Sequence, residues 1–470
     1  MTKYQPTWLP DQRRGRPSLL AAARDFVDSV ANSSPARLAL FVYTGVILVF
    51  AAILALPASA ADGRMTVLHD AFFTAVSAVC VTGLTVVSTA EHWSGFGQVV
   101  ILLGIFIGGL GTLTLASLLT LAVSKRLGVR GKLIAQEALS NAGRLGEVGT
   151  LLRIVITTSV VIEVILALAL IPRFIILGEP LGQAVWHGVF YSISAFNNAG
   201  FTPHSNGLVP YETDEWILFP LMAGGFLGSL GFPVVMILLE RGWRYRNWNL
   251  HTKLTIEVSL ILMAAGALAW GAMEWTNPRT IGGLGVWDKT IHALFASVMT
   301  RSLGFNLVDM NNMEPSTMLL TDALMFAGGG SASTAGGIKV TTIAIVFLAI
   351  VAEARGDNDV KVHGRTIPAS AMRVAISVIV AGATWVAVGA GVLLAMTGAS
   401  LDRVLFEVIS AFATVGLSTN ISAEAPPEGK YVLAVLMFAG RVGTITLASA
   451  LALRERRQLY HFPEERPIIG

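Results

Sequence analysis

Apolar residues in this chain gather into eight long runs, over about 37–57, 96–124, 149–177, 216–240, 252–273, 317–351, 370–397 and 431–453. Each run reaches the roughly 20 residues that span a bilayer as helix. Four shorter semi-apolar stretches of roughly 14 residues, too short to cross, lie between the first and second, third and fourth, fifth and sixth, and seventh and eighth runs. Each ends in a glycine-containing tetrad and then a polar loop. A short helix that gives way to non-helical backbone is the pattern of a re-entrant loop, tolerated at membrane depth only where protein or water shields it. The pattern predicts an all-α membrane protein of four helix–pore-loop–helix repeats. They are expected in a pseudo-fourfold arrangement around one central ion pore, with eight membrane-spanning helices. The repeats are placed at 37–124, 149–240, 252–351 and 370–453, with an N-terminal tail over 1–36 and a C-terminal tail over 454–470.

The short stretches align with one another: FFTAVSAVCVTGLT (72–85), VFYSISAFNNAGFT (189–202), LFASVMTRSLGFN (294–306) and LFEVISAFATVGLST (405–419). Phe73, Phe190, Leu294 and Phe406 each precede, by ten residues, the glycines Gly83, Gly200, Gly304 and Gly416. A serine stands six residues before the glycine in three of them, as Ser77, Ser194 and Ser410. The glycines recur at intervals of 104 to 117 residues, one helix–loop–helix unit each.

A dehydrated potassium ion needs oxygen ligands in place of its water shell, and rings of backbone carbonyls supply them in channels. Carbonyls can face a narrow lumen only if the backbone visits conformations that an L-residue resists, and glycine reaches positive φ without steric cost. The short helix before each glycine would aim its partly negative C-terminal end at the same place. The candidate filter segments are therefore Val81-Thr82-Gly83, Asn198-Ala199-Gly200, Ser302-Leu303-Gly304 and Thr414-Val415-Gly416. Only the fourth reads like the start of the TVGYG filter of potassium channels, so fewer carbonyl rings and looser selectivity are expected. The alternative is that these glycines are ordinary close-packing positions.

Gly108-x-x-Gly111, Gly228-x-x-Gly231 and Gly440-x-x-Gly443 fall 24 to 28 residues past the repeat glycines. The third repeat instead carries Gly328, Gly329, Gly330, Ser331, Ala332, Ser333, Thr334, Ala335, Gly336, Gly337, Ile338 and Lys339. Such a run of small residues is a poor helix former, and its backbone must be shielded or face water. It reads as a flexible loop partway through the sixth run and as a gate; the alternative is a static break that accommodates packing. No GxxxxGK[ST] phosphate loop is present. Arg441 sits inside an apolar helix, where a charge costs roughly 2.5–3.5 kcal/mol on insertion scales. It reads as a pore barrier, or else as an arginine paired to Glu407, Glu163 or carbonyls. Glu163 and Glu257 read as structural, and His69, His187 and His292 as interfacial residues and not ligands.

Composition agrees with the pattern. The chain is 54% hydrophobic and 13% charged, against roughly 25% charged in soluble domains, so it lacks the polar residues to cover a soluble exterior. A net charge of +3 is too small to suggest nucleic acid. The single cysteine, Cys80, forbids an intrachain disulfide. The first 35 residues are basic and lack the apolar core of a signal peptide. Connecting segments alternate between a basic set, such as Lys125, Arg126, Arg130 and Lys132 or Arg241, Arg244 and Arg246, and an acidic set such as Glu212, Asp214 and Glu215. The positive-inside rule puts both termini in the cytoplasm and lets all four re-entrant stretches enter from the outer face of the cell membrane.

The segments VCVTGLT, FNNAGFT, TRSLGF and TVGLST, with GGGSASTAGGIKV and MFAGRVGTIT, make the chain resemble the Trk/Ktr/HKT superfamily of potassium transporters over about 37–453. With eight runs it looks more like a KtrB-type membrane subunit than the larger TrkH type. The resemblance implies K+ as the transported ion, with Na+ open as a second, and no cofactor on this chain. It implies a homodimer with one pore per chain and a cytoplasmic KtrA/TrkA-type nucleotide-binding ring that controls the gate. The family's intramembrane loop matches 328–339, and its pore-blocking arginine matches Arg441. The chain departs from the family in lacking a proline in that glycine run and in having Leu303 where alanine is common. In some plant relatives a serine replaces the first filter glycine and favours sodium; Gly83 argues for potassium. A sodium-selective or poorly selective cation channel is the nearest alternative. An intramembrane enzyme is the alternative from another class, but HExxH, GxSxG and paired catalytic carboxylates are missing.

Overall fold

A computed structural model of the protein describes residues 35–111 and 148–443. The tails, the basic connection from Lys125 to Arg144, and the far ends of the second and eighth apolar runs lie outside the described residues. The structure is helical, and its helices come in similar groups. Each group opens with a long helix: α1 (Pro35–Leu54), α4 (Val148–Ile176), α8 (Leu250–Glu274) and α12 (Ala369–Thr397). A shorter one follows: α2 (Leu68–Val79), α5 (Leu181–Phe196), α9 (Val286–Met299) and α13 (Leu401–Phe412). A third closes each group: α3 (Gly95–Gly109), α6 (Glu215–Leu230), α10 (Pro315–Phe326) and α14 (Pro427–Phe438). Among the described residues, three helices are long and apolar enough to cross a membrane, at Arg153–Ile176, Leu250–Glu274 and Ala369–Thr397.

The closing helices do not run on as the apolar pattern suggested. The sequence pattern broke only the sixth run. In the structure α6 stops at Gly231, and α7 (Phe232–Arg241) continues at a 97° bend. Gly231 takes a φ of 92°, and Pro233 falls in the first turn of α7. A glycine in that region followed by a proline that starts well but cannot continue a helix sets the corner. α3 ends before Gly111, at a φ of 86°, and α14 passes into a π-turn at Ala439–Gly443. In the third group the interruption is the whole glycine-rich loop, after which α11 (Val340–Arg355) resumes. Apolar composition does not register these breaks, because the residues on both sides remain hydrophobic.

Packing links the groups in cyclic order. Each short helix packs on the long helix before it, as α2 on α1 and α5 on α4. Each closing helix also packs on the short helix of the next group: α3 on α5, α6 on α9, α10 on α13, and α14 back on α2. The last contact carries an ion pair, Lys430 Nζ to Asp70 Oδ1 at 2.8 Å. Close approach at the other end rests on glycine. A Cβ at Gly108, Gly228 or Gly440 would collide with the carbonyl oxygen of Val79, Phe196 or Phe412. Each of those oxygens lies four residues before the repeat glycine, at the end of a short helix.

A hairpin in the connection before α12 went unread in the sequence. β1 (Val360–Val362) pairs antiparallel with β2 (Arg365–Ile367). His363 and Gly364 turn the chain at φ 48° and 71°, the two positive values that a tight hairpin turn of the right twist needs. Val360 and Ile367 pack on Ala352 of α11, and His363 Nε2 meets Glu257 Oε2 at 2.9 Å.

Gly228→Ala should cost about 1–3 kcal/mol, the range for forcing a methyl group into a packed site. The melting temperature of the purified protein reads this as a clear drop. Gly45→Ala, at a position with nothing within 4 Å of the added carbon, should leave the melting temperature unchanged.

Candidate functional site

Each short helix delivers its chain end into the same kind of turn. The Thr82, Ala199 and Val415 amides each donate to the carbonyl oxygen five residues back, on Ser77, Ser194 and Ser410, all at 2.8 Å. The serine side chains hold the turn as well. Ser77 Oγ accepts the Gly83 amide and Ser410 Oγ the Gly416 amide, both at 3.1 Å, while Ser194 Oγ donates to Phe201 O at 2.8 Å. The third group has no serine at that place. There Leu303 N donates to Met299 O at 3.1 Å.

The repeat glycines take φ values of 89°, 69°, 72° and 98° at Gly83, Gly200, Gly304 and Gly416. Positive φ also occurs two residues earlier, at Val81 (56°), Asn198 (59°), Ser302 (73°) and Thr414 (49°). Sequence reasoning missed these four residues as conformational outliers: Asn198 is of a type that tolerates positive φ, but Val81, Ser302 and Thr414 give no such signal. For β-branched Val81 and Thr414 the conformation is unusual, and such residues cost of order 1–3 kcal/mol each, which surrounding structure must impose.

The four glycines lie together. The place where a side chain would sit on each is taken by the main chain of the next group. Gly83 meets Ala199 O, Gly200 meets Leu303 O, Gly304 meets Val415 O, and Gly416 meets Thr82 O. In each case the oxygen belongs to the residue just before the neighbour's glycine, and the series returns to its start. Gly416 lies beside the Cα atoms of both Gly304 and Gly83. The twelve residues of the four segments include no carboxylate, and the oxygens that face the four glycines are main-chain oxygens. The C-terminal ends of α2, α5, α9 and α13 arrive at this point, and their dipoles favour positive charge there.

The glycine-rich loop packs against three of the four segments. Ser302 Oγ lies 2.9 Å from Ala413 O and 2.7 Å from Thr414 O, and accepts the Gly336 amide at 3.2 Å. Thr334 Oγ1 donates to Asn198 Oδ1 at 3.0 Å. A Cβ at Gly336 would strike Thr414, and one at Gly337 would press on Ala413. The sequence suggested a flexible loop, but this one has a bonded neck. Gly328 N donates to Ile338 O at 2.9 Å, Val340 N to Gly329 O at 3.0 Å, and Gly330 N to Ser229 O at 2.7 Å. Ser333 Oγ donates to Gly330 O at 2.7 Å, and Ser331 Oγ meets Thr341 Oγ1 at 3.2 Å.

Two cations hold consecutive loop carbonyls. Lys339 Nζ donates to Ala335 O at 2.7 Å, and Arg441 donates to Thr334 O. Arg441 also donates to Gly108 O at 2.7 Å, an oxygen shared with the Tyr43 hydroxyl at 3.2 Å. Of the partners the sequence left open for Arg441, the structure brings carbonyls. Glu407 instead accepts from Ser418 Oγ at 2.8 Å, Thr419 N at 2.9 Å and Ser422 N at 3.1 Å, and so braces the chain that leaves Gly416. Glu163 accepts from Asn197 Nδ2 at 2.7 Å. Glu257 accepts from the Tyr245 hydroxyl as well as pairing with His363. Of the three histidines, His292 contacts Glu212 O at 2.9 Å and His69 lies 3.6 Å from Asp70. His187 meets Glu179 at 2.7 Å.

With this geometry in view, residues 40–458 match the TrkH family, described as cation transport protein. The chain is 34% identical to the Ktr system potassium uptake protein B of Vibrio alginolyticus over 443 residues, covering 94% of this chain and 96% of that one. It is 32% identical to the potassium/sodium uptake protein NtpJ of Enterococcus hirae, over 93% of this chain and 97% of that one. Its fold is similar to the crystal structure of the potassium transporter TrkH from Vibrio parahaemolyticus, at a TM-score of 0.66 and 18% identity, covering 94% of this chain and 86% of that one. A match over most of the chain, relatives above 30% identity at nearly full length, and helices apolar enough for a bilayer lead to one conclusion: this membrane protein belongs to the TrkH family of cation transport proteins.

Proposed function

We propose that this protein carries potassium into the cell through a single pore formed by four pseudo-fourfold repeats and eight spans. Val81 to Gly83, Asn198 to Gly200, Ser302 to Gly304 and Thr414 to Gly416 line its selectivity filter. The observation that carries this reading is the cyclic approach of each repeat glycine to the carbonyl oxygen before the next. A cluster of main-chain oxygens without a donor is costly unless something positive replaces the lost water, and a bare monovalent cation does so. The positive end of no helix and the charge of no carboxylate is required. The family is one of transporters, so the intramembrane enzyme falls away.

The glycine-rich loop (Gly328, Gly329, Gly330, Ser331, Ser333, Thr334, Gly336, Gly337 and Lys339) and Arg441 act as the gate. Its contacts to Asn198, Ser302 and Thr414 support a position directly against the filter. Opening would release Arg441 from Thr334 O and Gly108 O and withdraw its charge from the cation's path. The chain works as a homodimer, with both termini in the cytoplasm, under a KtrA/TrkA-type nucleotide-binding ring; a similar protein is itself named as part of a Ktr system. A filter that admits sodium alongside potassium is the second reading. It is favoured by the relative named for both ions and by the single glycine in each segment.

Uptake into liposomes, with potassium, rubidium, sodium and lithium in competition, tests the function. Potassium and rubidium should compete with one another and exclude lithium; equal flux of all four would overturn the selectivity reading. Gly416→Ser places a side chain at φ 98° where Thr82 O lies. It should lower potassium over sodium discrimination about tenfold, equal to about 1.4 kcal/mol of differential binding. Arg441→Ala, or deletion of 329–336, should raise potassium flux in the same assay. Unchanged flux in both would remove the gate and leave the pore standing.

A further inference from the structure

One cluster of titratable side chains has no task in the transport reading. Glu179 lies in the turn between α4 and α5, His187 on α5, and His204 in the loop that leaves the second repeat glycine, four residues past Gly200. One ligand atom from each lies within 4.8 Å of the others. Glu179 Oε2 is 2.7 Å from His187 Nδ1, and Glu179 Oε1 is 3.2 Å from His204 Nε2. The imidazole rings sit 4.1 Å apart between centroids. Tyr211 donates to Glu179 Oε1 at 3.1 Å, and the Tyr191 hydroxyl meets His204 Nδ1 at 2.9 Å. Beneath them Phe174 packs on both histidines. The three side chains are 15–19% exposed, reachable by a small ion and held in place by their neighbours.

We propose that Glu179, His187 and His204 bind a divalent transition-metal ion of the zinc class, with water as the fourth ligand, and that the bound ion restrains cation flux. Two imidazoles and one carboxylate are a known zinc donor set, whereas calcium and magnesium take oxygen ligands. Tetrahedral ligands at about 2.0–2.1 Å from zinc stand about 3.3 Å from one another, and the three ligand atoms here lie within 4.8 Å of one another, so side-chain adjustment of an ångström or so closes the site. Tyr191 on His204 Nδ1 is the kind of outer partner that fixes a ligand's tautomer. A metal ion here ties the start of α5 to the chain leaving Gly200 and adds positive charge on the side where the pore helices begin. The added charge opposes entry of a cation.

The test uses the untagged, metal-stripped full chain in detergent, titrated with Co2+ and followed by visible absorption, then with Zn2+ as competitor. Cys80 is buried and the sole cysteine, so thiolate bands will not confuse the spectrum. We expect one saturable tetrahedral site per chain, displaced by Zn2+. His187→Ala and His204→Ala should each weaken it by more than about 100-fold, beyond the range seen for loss of an outer-shell partner. Glu179→Gln keeps the shape and should also lose the site, which separates ligation from folding. In liposomes Zn2+ should lower potassium flux through the natural chain and leave the His187→Ala, His204→Ala double variant unaffected. Absence of a saturable site, or equal binding by the double variant, would mean that these residues form only a hydrogen-bonded knot. Equal Zn2+ inhibition of both proteins would sever the site from flux and overturn the proposal.

Discussion

Four carbonyl oxygens each crowd the repeat glycine of a neighbouring group, and that crowding constrains the rest of the molecule. Thr82, Ala199, Leu303 and Val415 each press an oxygen against the glycine of a neighbouring group. Nothing larger than hydrogen fits on the facing carbon. Acceptors gathered without donors resist assembly unless the surrounding structure compels it. The short helices supply part of that compulsion. Their last turns hand over to the serine bonds at Ser77 and Ser410, and the strained residues Val81 and Thr414 sit inside those turns. The closing helices supply more, because Gly108, Gly228 and Gly440 let them lie against the carbonyls that end the short helices.

The third group breaks the likeness among the four, and its departures concern one another. It lacks the serine that binds the glycine amide. Its own serine, Ser302, reaches to Ala413 and Thr414 and accepts from Gly336. The group that gives up its local brace is thus the group whose closing helix opens into the glycine-rich loop, and the loop supports the segment in exchange. Arg301, 2% exposed, stands just before Ser302, and its Nε finds no partner among the described residues. Its Nη2 reaches Ser259 Oγ at 3.5 Å.

Arg441 links groups that are far apart in the chain. It holds Gly108 O from the first and Thr334 O from the third while standing in the fourth. Buried charge of this kind is costly unless well bonded. Carbonyl partners are weaker holds than a carboxylate, so the arginine can exchange them at less cost than it could leave Glu407 or Glu163. Those two acids are engaged elsewhere, Glu407 with the chain beyond Gly416 and Glu163 with Asn197.

Hydropathy and glycine spacing are local properties, and they sufficed for the helical class, the four short helices, the recurring glycines and the interruption in the sixth run. The serine six residues before the glycine was also legible, because a side chain that bonds a nearby amide leaves a fixed spacing. Other features depend on atoms brought from distant parts of the chain. Positive φ at Val81, Ser302 and Thr414 is imposed by neighbours, not by residue type. The corner at Gly231 joins two stretches that are equally apolar. The partners of Arg441, and the meeting of Glu179 and His187 with His204, arise only when separate loops and helices close on one another, and no periodicity records such an encounter.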